Sequence, residues 1–157
     1  MRIAIIILSL FLLSCGEKKE KKTKMYRQKS VVTQQKLKSR PAPIAIDLEN
    51  VGIGPIKSLS FPNKIDNKMV GVGSTLFSQK CAACHKTNKR FIGPAIKGIY
   101  ERRNPAWVMN IMLNPIEMLE KDTLTKQLFE AYNKVVMYDQ NLSQEEARAL
   151  AEFFRSL

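Results

Sequence analysis

Residues 70–157 predict an all-α domain of about four to five short helices, and three observations carry that prediction. Apolar residues recur at helical spacing: Trp107, Val108, Ile111 and Met112 in one stretch, and Ala147, Leu150, Ala151 and Phe154 at i, i+3, i+4 and i+7 in another. Helix-start chemistry stands ahead of the apolar runs. Asn104-Pro105 supplies a cap and a first helical residue, Asp122 precedes Thr123, and Ser143-Gln144-Glu145-Glu146 is a capping box. Gly-Pro and Asn-Pro pairs, at Gly93-Pro94 and Asn114-Pro115, punctuate the segments between.

The chain begins differently. Met1-Arg2 is a short charged start, followed by an apolar run from Ile3 to Leu13 that only Ser9 interrupts. Eleven residues suit the core of an export signal and are too few to span a bilayer. The run ends in Leu12-Leu13-Ser14-Cys15, which resembles a bacterial lipobox. That resemblance implies cleavage after residue 14 and lipid modification of Cys15. The other reading is an ordinary cleaved signal with an incidental cysteine, but a spare thiol in an oxidising compartment would be a liability.

Residues 15–69 read as a tether with an irregular extension. Lys18, Lys19, Lys21, Lys22 and Lys24 crowd into a stretch poor in large apolar residues, which cannot bury enough surface to offset its ordering entropy. The lysines suit anionic lipid headgroups beside an anchor, or simply a solvated spacer. Pro41 and Pro43 stiffen the chain. Ile44, Ile46 and Leu48 alternate as in a short strand, and the apolar content up to Phe61 predicts that this part lies against the helices. If residues 16–69 were all free, their r.m.s. reach would be roughly 40 Å.

Charge follows the same division. Residues 1–69 hold fourteen Lys/Arg against five Asp/Glu, whereas residues 70–157 hold twelve against nine, so the basic character belongs to the tail. A basic tail behind an export signal argues against nucleic-acid binding.

Within the helical part, the first helix is expected from about Val72 to Lys80, with Leu76 and Phe77 inward. It delivers the chain into Cys81-Ala82-Ala83-Cys84-His85-Lys86. Two thiols two residues apart can each add to a vinyl group of one porphyrin, and the next histidine can supply an axial ligand to its iron. Structural zinc would want four Cys/His ligands where this segment has three, and a redox dithiol would want an α/β pattern around it. The motif therefore predicts one covalent haem c. His85 is the only histidine in the chain, so a second imidazole ligand is excluded. Further helices are expected from Asn104 to about Leu113, over Thr123–Lys134 with Leu124, Leu128 and Ala131 inward, and after Ser143. Nothing else in the chain reads as a catalytic constellation or a phosphate loop, and the expectation is a protein that is not an enzyme.

The Cys-x-x-Cys-His run followed by Phe91-Ile92-Gly93-Pro94 resembles the class I cytochromes c. That resemblance implies a small fold in which first and last helices cross, with the haem between them and the middle helices. It also implies that the Pro94 carbonyl accepts a hydrogen bond from the His85 nitrogen that does not bind iron, and that the sixth ligand is a methionine shortly before the last helix. Met137 stands there; Met109, Met112 and Met118 lie in or beside the central helix, where methionine is usual core filler. Tyr138 departs from the proline that many relatives carry after this methionine. Without a methionine ligand, the site would be open and suit a small-gas sensor.

Lys80, Lys86, Lys89, Arg90 and Lys97 cluster about the motif, either to steer an acidic redox partner or as a solvated rim. The Arg102-Arg103-Asn104-Pro105-Ala106-Trp107 run and the Asn114-Pro115 break are similar to small lipoprotein cytochromes associated with nitrous oxide respiration in Bacteroidetes-like bacteria. This implies an exported, membrane-anchored, periplasm-facing electron carrier. Its redox partners would be nitrous oxide reductase or a quinol-oxidising complex.

Overall fold

The computed structural model describes residues 44–157; the signal, Cys15 and the lysine-rich stretch lie outside them. Five α-helices run in the order α1 (Asn67–Leu76), α2 (Pro105–Leu113), α3 (Pro115–Lys121), α4 (Thr123–Ala131) and α5 (Gln144–Arg155). No β-strand forms among the described residues. The expected strand at residues 44–48 is a single bridge between Asp47 and Arg103. Asp47 Oδ1 accepts from the N–H groups of Glu49 and Asn50 and so bends the chain, leaving Ile46 and Leu48 exposed.

Helix α1 starts five residues before the expected Val72, because the Asp66 carboxylate takes the free N–H groups of Lys68 and Met69. Met69 is thus in the helix rather than upstream of it. At its other end the helix widens into a π-turn over Phe77–Cys81, with Ala82 N–H donating to Phe77 O at 2.9 Å. Helix α5 keeps both arms of its capping box, and Ala147, Leu150 and Ala151 are fully buried. Helices α1 and α5 cross at Gly73, where an added Cβ would lie 2.7 Å from the Ala149 carbonyl carbon and 2.8 Å from Phe153 Cβ. Only a residue without a side chain permits so close an approach. Phe77 fills the space beside the crossing and meets Phe154 edge-on.

Helix α2 carries the core: Trp107, Val108, Met109 and Met112 are all buried. Pro115 ends it and also opens α3, a seven-residue helix hidden by reading the proline only as a break. Asp122 caps α4 and is the hub beneath the core. It accepts from Thr125 N and Oγ1 at 2.7 Å, from Trp107 Nε1 at 3.1 Å and from Asn50 Nδ2 at 2.7 Å. Helix α4 stops at Ala131 rather than Lys134, since Asn133 and Lys134 turn to positive φ.

Residues 44–66 lie along the helices, as their apolar content predicts. Asn110, buried in α2, hooks them with both ends of its amide: Nδ2 donates to Val51 O and Ile56 O, and Oδ1 accepts from Ile56 N. At α5, Glu152 accepts from Asp66 N and pairs with Arg148 and Arg155, whose guanidinium groups cover the Phe61 ring.

Candidate haem centre

The π-turn at the end of α1 brings Cys81 into one further turn of backbone. The Cys81 carbonyl accepts from both Cys84 N and His85 N, at 3.0 and 2.9 Å, so the three motif residues share one tight bend. The chain then loops back: Gly93 N–H donates to Cys84 O, and Ile96 and Lys97 N–H donate to Lys86 and Thr87 carbonyls. This return places Pro94 O 3.1 Å from His85 Nδ1. It also lays Gly93 against the imidazole, where a Cβ would lie 2.7 Å from Nδ1 and 2.9 Å from Nε2.

Burial lowers the His85 pKa, and the Pro94 contact offsets this only in part, so the ring is held neutral. A neutral ring has one N–H. With that proton on Nδ1 for Pro94, Nε2 is left with a lone pair, the state an axial ligand needs. Burial pushes the Cys81 thiol up to about 11, with Lys80 opposing. A thiol so held is protonated at neutral pH, unlike the activated thiolate of a redox dithiol. Among the described residues, no group of three or more His, Cys, Asp or Glu side chains is arranged to hold a metal ion.

Cys81, Cys84 and His85 border a cavity of about 240 Å³. Its walls are mostly apolar: Phe77, Ile96, Ile99, Trp107, Val108, Met112, Leu128 and Val136 among them. Met137, from the loop between α4 and α5, lines the same cavity and is half-buried. The structure therefore gathers Cys81, Cys84, His85, Pro94 and Met137 about one space. Of the remaining methionines in the helices, Met112 also lines it. Met118 does not, and its sulfur instead meets Ile53 N–H at 2.9 Å.

Arg102 and Arg103 border the cavity as well, a feature the sequence reading did not use. Arg103 is buried, and neither arginine forms an ion pair with a carboxylate among the described residues. Arg103 Nη1 donates to Ala45 O at 2.8 Å; Arg102 donates to the carbonyls of Ala95, Lys97 and Gly98. Burial, and then the neighbouring Arg102, push the Arg103 pKa down, with Asp47 partly restoring it. An apolar slot carrying two paired thiols, a ring nitrogen with a lone pair and two arginines without acid partners fits a porphyrin bearing two carboxylates.

The cytochrome c sequence profile matches residues 71–157. The chain belongs to the cytochrome c family. Its members are electron carriers with a covalently attached c-type haem, and this chain accordingly binds one haem c. Among solved structures it is similar to a cytochrome c from Rhodothermus marinus, with 42% identity over 66% of this chain and 88% of that one and a TM-score of 0.63. An engineered form of that cytochrome matches with 41% identity over 66% of this chain and 89% of that one, at a TM-score of 0.63. The same engineered protein bound to a carbene intermediate matches with 41% identity, over 66% and 88% of the two chains, at 0.60. No curated protein sequence matches.

Proposed function

We propose that this member of the cytochrome c family carries electrons singly between respiratory proteins at a bacterial membrane surface. Cys81 and Cys84 would attach the haem, and His85 and Met137 would bind its iron. The observation that carries the reading is that His85 and Met137 border the same mostly apolar cavity. When bound, the haem supplies a one-electron couple whose potential a thioether ligand raises relative to a second imidazole.

The chain's own residues do the rest. The Pro94 carbonyl orients the imidazole and fixes its proton on Nδ1. Arg102 and Arg103, which border the cavity, would receive the two propionates. The apolar walls keep water from the iron, which favours the less charged, reduced state. Met137 is preferred over Met112 because Met112 sits in a helix within the hydrophobic core, whereas Met137 stands on a loop.

The apolar run from Ile3 to Leu13 and the lipobox-like Leu12-Leu13-Ser14-Cys15 support export, lipid attachment through Cys15 and a periplasm-facing position. Residues 44–66 are held on the helices, so a spacer after Cys15 would lie within residues 16–43, which are outside the described residues. The partners would be nitrous oxide reductase or a quinol-oxidising complex. Catalysis is not part of this reading. The second reading, small-ligand binding at an open sixth position, draws support from the engineered Rhodothermus relative described as bound to a carbene intermediate.

Maturation in an exporting host tests the first claim. One haem per chain should survive denaturation, and Cys81→Ala with Cys84→Ala should abolish it. Reduced protein should then be reoxidised by nitrous oxide reductase with nitrous oxide; no electron flow would remove that partner while leaving the carrier role.

A further inference from the structure

Two cations that flank the attachment motif reach across to the segment bearing Met137. Lys80 immediately precedes Cys81, and its ammonium donates to Gln140 O at 2.9 Å. Arg90, five residues after His85, stacks its guanidinium 3.9 Å from the centre of the Tyr132 ring and donates to Ala131 O. Tyr132 opens the segment and Gln140 closes it, so Met137 lies between two points fixed to the motif side of the cavity.

The segment needs such fixing. It has no helix or strand of its own, and two of its non-glycine residues, Asn133 and Lys134, take left-handed backbone at φ 59°, as does Asn141 just beyond it at φ 49°. Asparagine enters that region readily, but Lys134 does so only at a cost, so the loop's geometry there is held by contacts as well as by local preference. Three of the five cations that the sequence assigns to a docking rim are thus engaged within the molecule, Lys86 donating to Ala82 O at 2.7 Å, whereas Lys89 and Lys97 make no side-chain hydrogen bond or ion pair among the described residues.

We propose that Lys80 and Arg90 form a two-point clasp that holds the Met137 loop closed, and that they thereby set how readily an external ligand displaces Met137 from the iron. They are positioning residues, acting on iron through the loop. The inference rests on Met137 being the sixth ligand.

The test uses the full-length, haem-loaded ferric protein titrated with imidazole, which competes for the sixth position. Wild type should show the methionine-to-iron charge-transfer band. Lys80→Met and Arg90→Gln should each tighten imidazole binding about tenfold, and the double variant by more than either, while Lys80→Arg stays within threefold of wild type. In a Met137→Ala background the same substitutions should change imidazole affinity less than twofold. Far-UV circular dichroism should be unchanged throughout.

Absence of the band in wild type overturns the ligand reading and the clasp with it. A normal band with unchanged imidazole affinity in the double variant overturns the clasp alone. An equal tightening in the Met137→Ala background would mean the cations govern access to the cavity, and it too overturns the proposal. Altered circular dichroism in the double variant with no rescue by Lys80→Arg would count the same way, because the cations would then be supporting the fold at large.

Discussion

Replacing Gly93 by alanine would place a methyl carbon 2.7 Å from His85 Nδ1 and 2.9 Å from Nε2. Ordinary carbon contacts begin near 3.4 Å and the ring's Cε1 lies nearer still than Nδ1, so methyl and ring must separate by more than about 0.7 Å. The methyl has little room to retreat. Gly93 is held by its N–H to Cys84 O at 2.8 Å and by its carbonyl to Phe91 N at 3.0 Å. The ring must therefore give, and a 3.1 Å bond to Pro94 stretched by that amount passes out of hydrogen-bonding range. Losing that bond costs about 1 kcal/mol and forcing a carbon into a filled site about 1–3 kcal/mol. The sum, about 2–4 kcal/mol, corresponds to a fall of roughly 10–20 °C in melting temperature for a domain of this size. Thermal unfolding of the haem-loaded ferric protein measures it, with the visible spectrum recorded alongside to report ring displacement. Gly71→Ala is the control, because a Cβ there meets nothing within 4 Å, and it should raise stability by about 0.5–1 kcal/mol. If Gly93→Ala melts within about 2 °C of wild type with an unchanged spectrum, the imidazole does not rest on residue 93 and the argument fails.

Other positions give independent checks. Gly73→Ala should push α1 off α5 and cost about 1–3 kcal/mol in denaturant unfolding, since the blocking atoms at Ala149 are backbone. Asp122→Ala removes the α4 cap and the partner of Trp107 Nε1 together, and should cost about 2–3 kcal/mol, whereas Glu117→Ala, at an exposed pair, should leave the unfolding midpoint close to wild type by the same assay. Burial raises the Glu152 pKa, but Asp66 N–H, Arg148 and Arg155 outweigh it and hold the carboxyl below its usual 4.5. Its contribution is therefore complete above pH 4.5 and is lost as the pH falls through the lower folded-state value. The stability gap between wild type and Glu152→Gln should accordingly close on acidification, and a gap that persists at pH 2 would contradict the pairing.

The last helix was legible because its cap, its period and its charges agree: every residue assigned to its inner face is buried. Helix α2 was equally plain from Asn104-Pro105. Two errors share one cause, the double meaning of a local signal. Pro115 ends one helix and starts another, and Asp66 lies in a sequence too polar to advertise the start of α1. The strand suggested by Ile44, Ile46 and Leu48 failed because alternation needs a partner strand, and Asp47 instead bends its own backbone. At the site, spacing alone exposed the Cys81, Cys84 and His85 cluster. The closeness of Pro94 and Met137 came from resemblance, because both are brought to the cavity by loops with no periodic signal. The place of Arg102 and Arg103 was missed: their sequence shows charge, and only their position at the cavity edge, with no carboxylate paired to either among the described residues, sets them apart.

The central claim, a haem iron held between His85 and Met137, is tested most directly by the visible spectrum of the ferric protein beside its Met137→Ala and Met112→Leu variants. The account predicts a methionine-to-iron charge-transfer band in wild type and in Met112→Leu, and its loss in Met137→Ala alone. A wild type already lacking the band, or a Met137→Ala variant that keeps it, would contradict the account; loss of the band in Met112→Leu instead would move the ligand to α2.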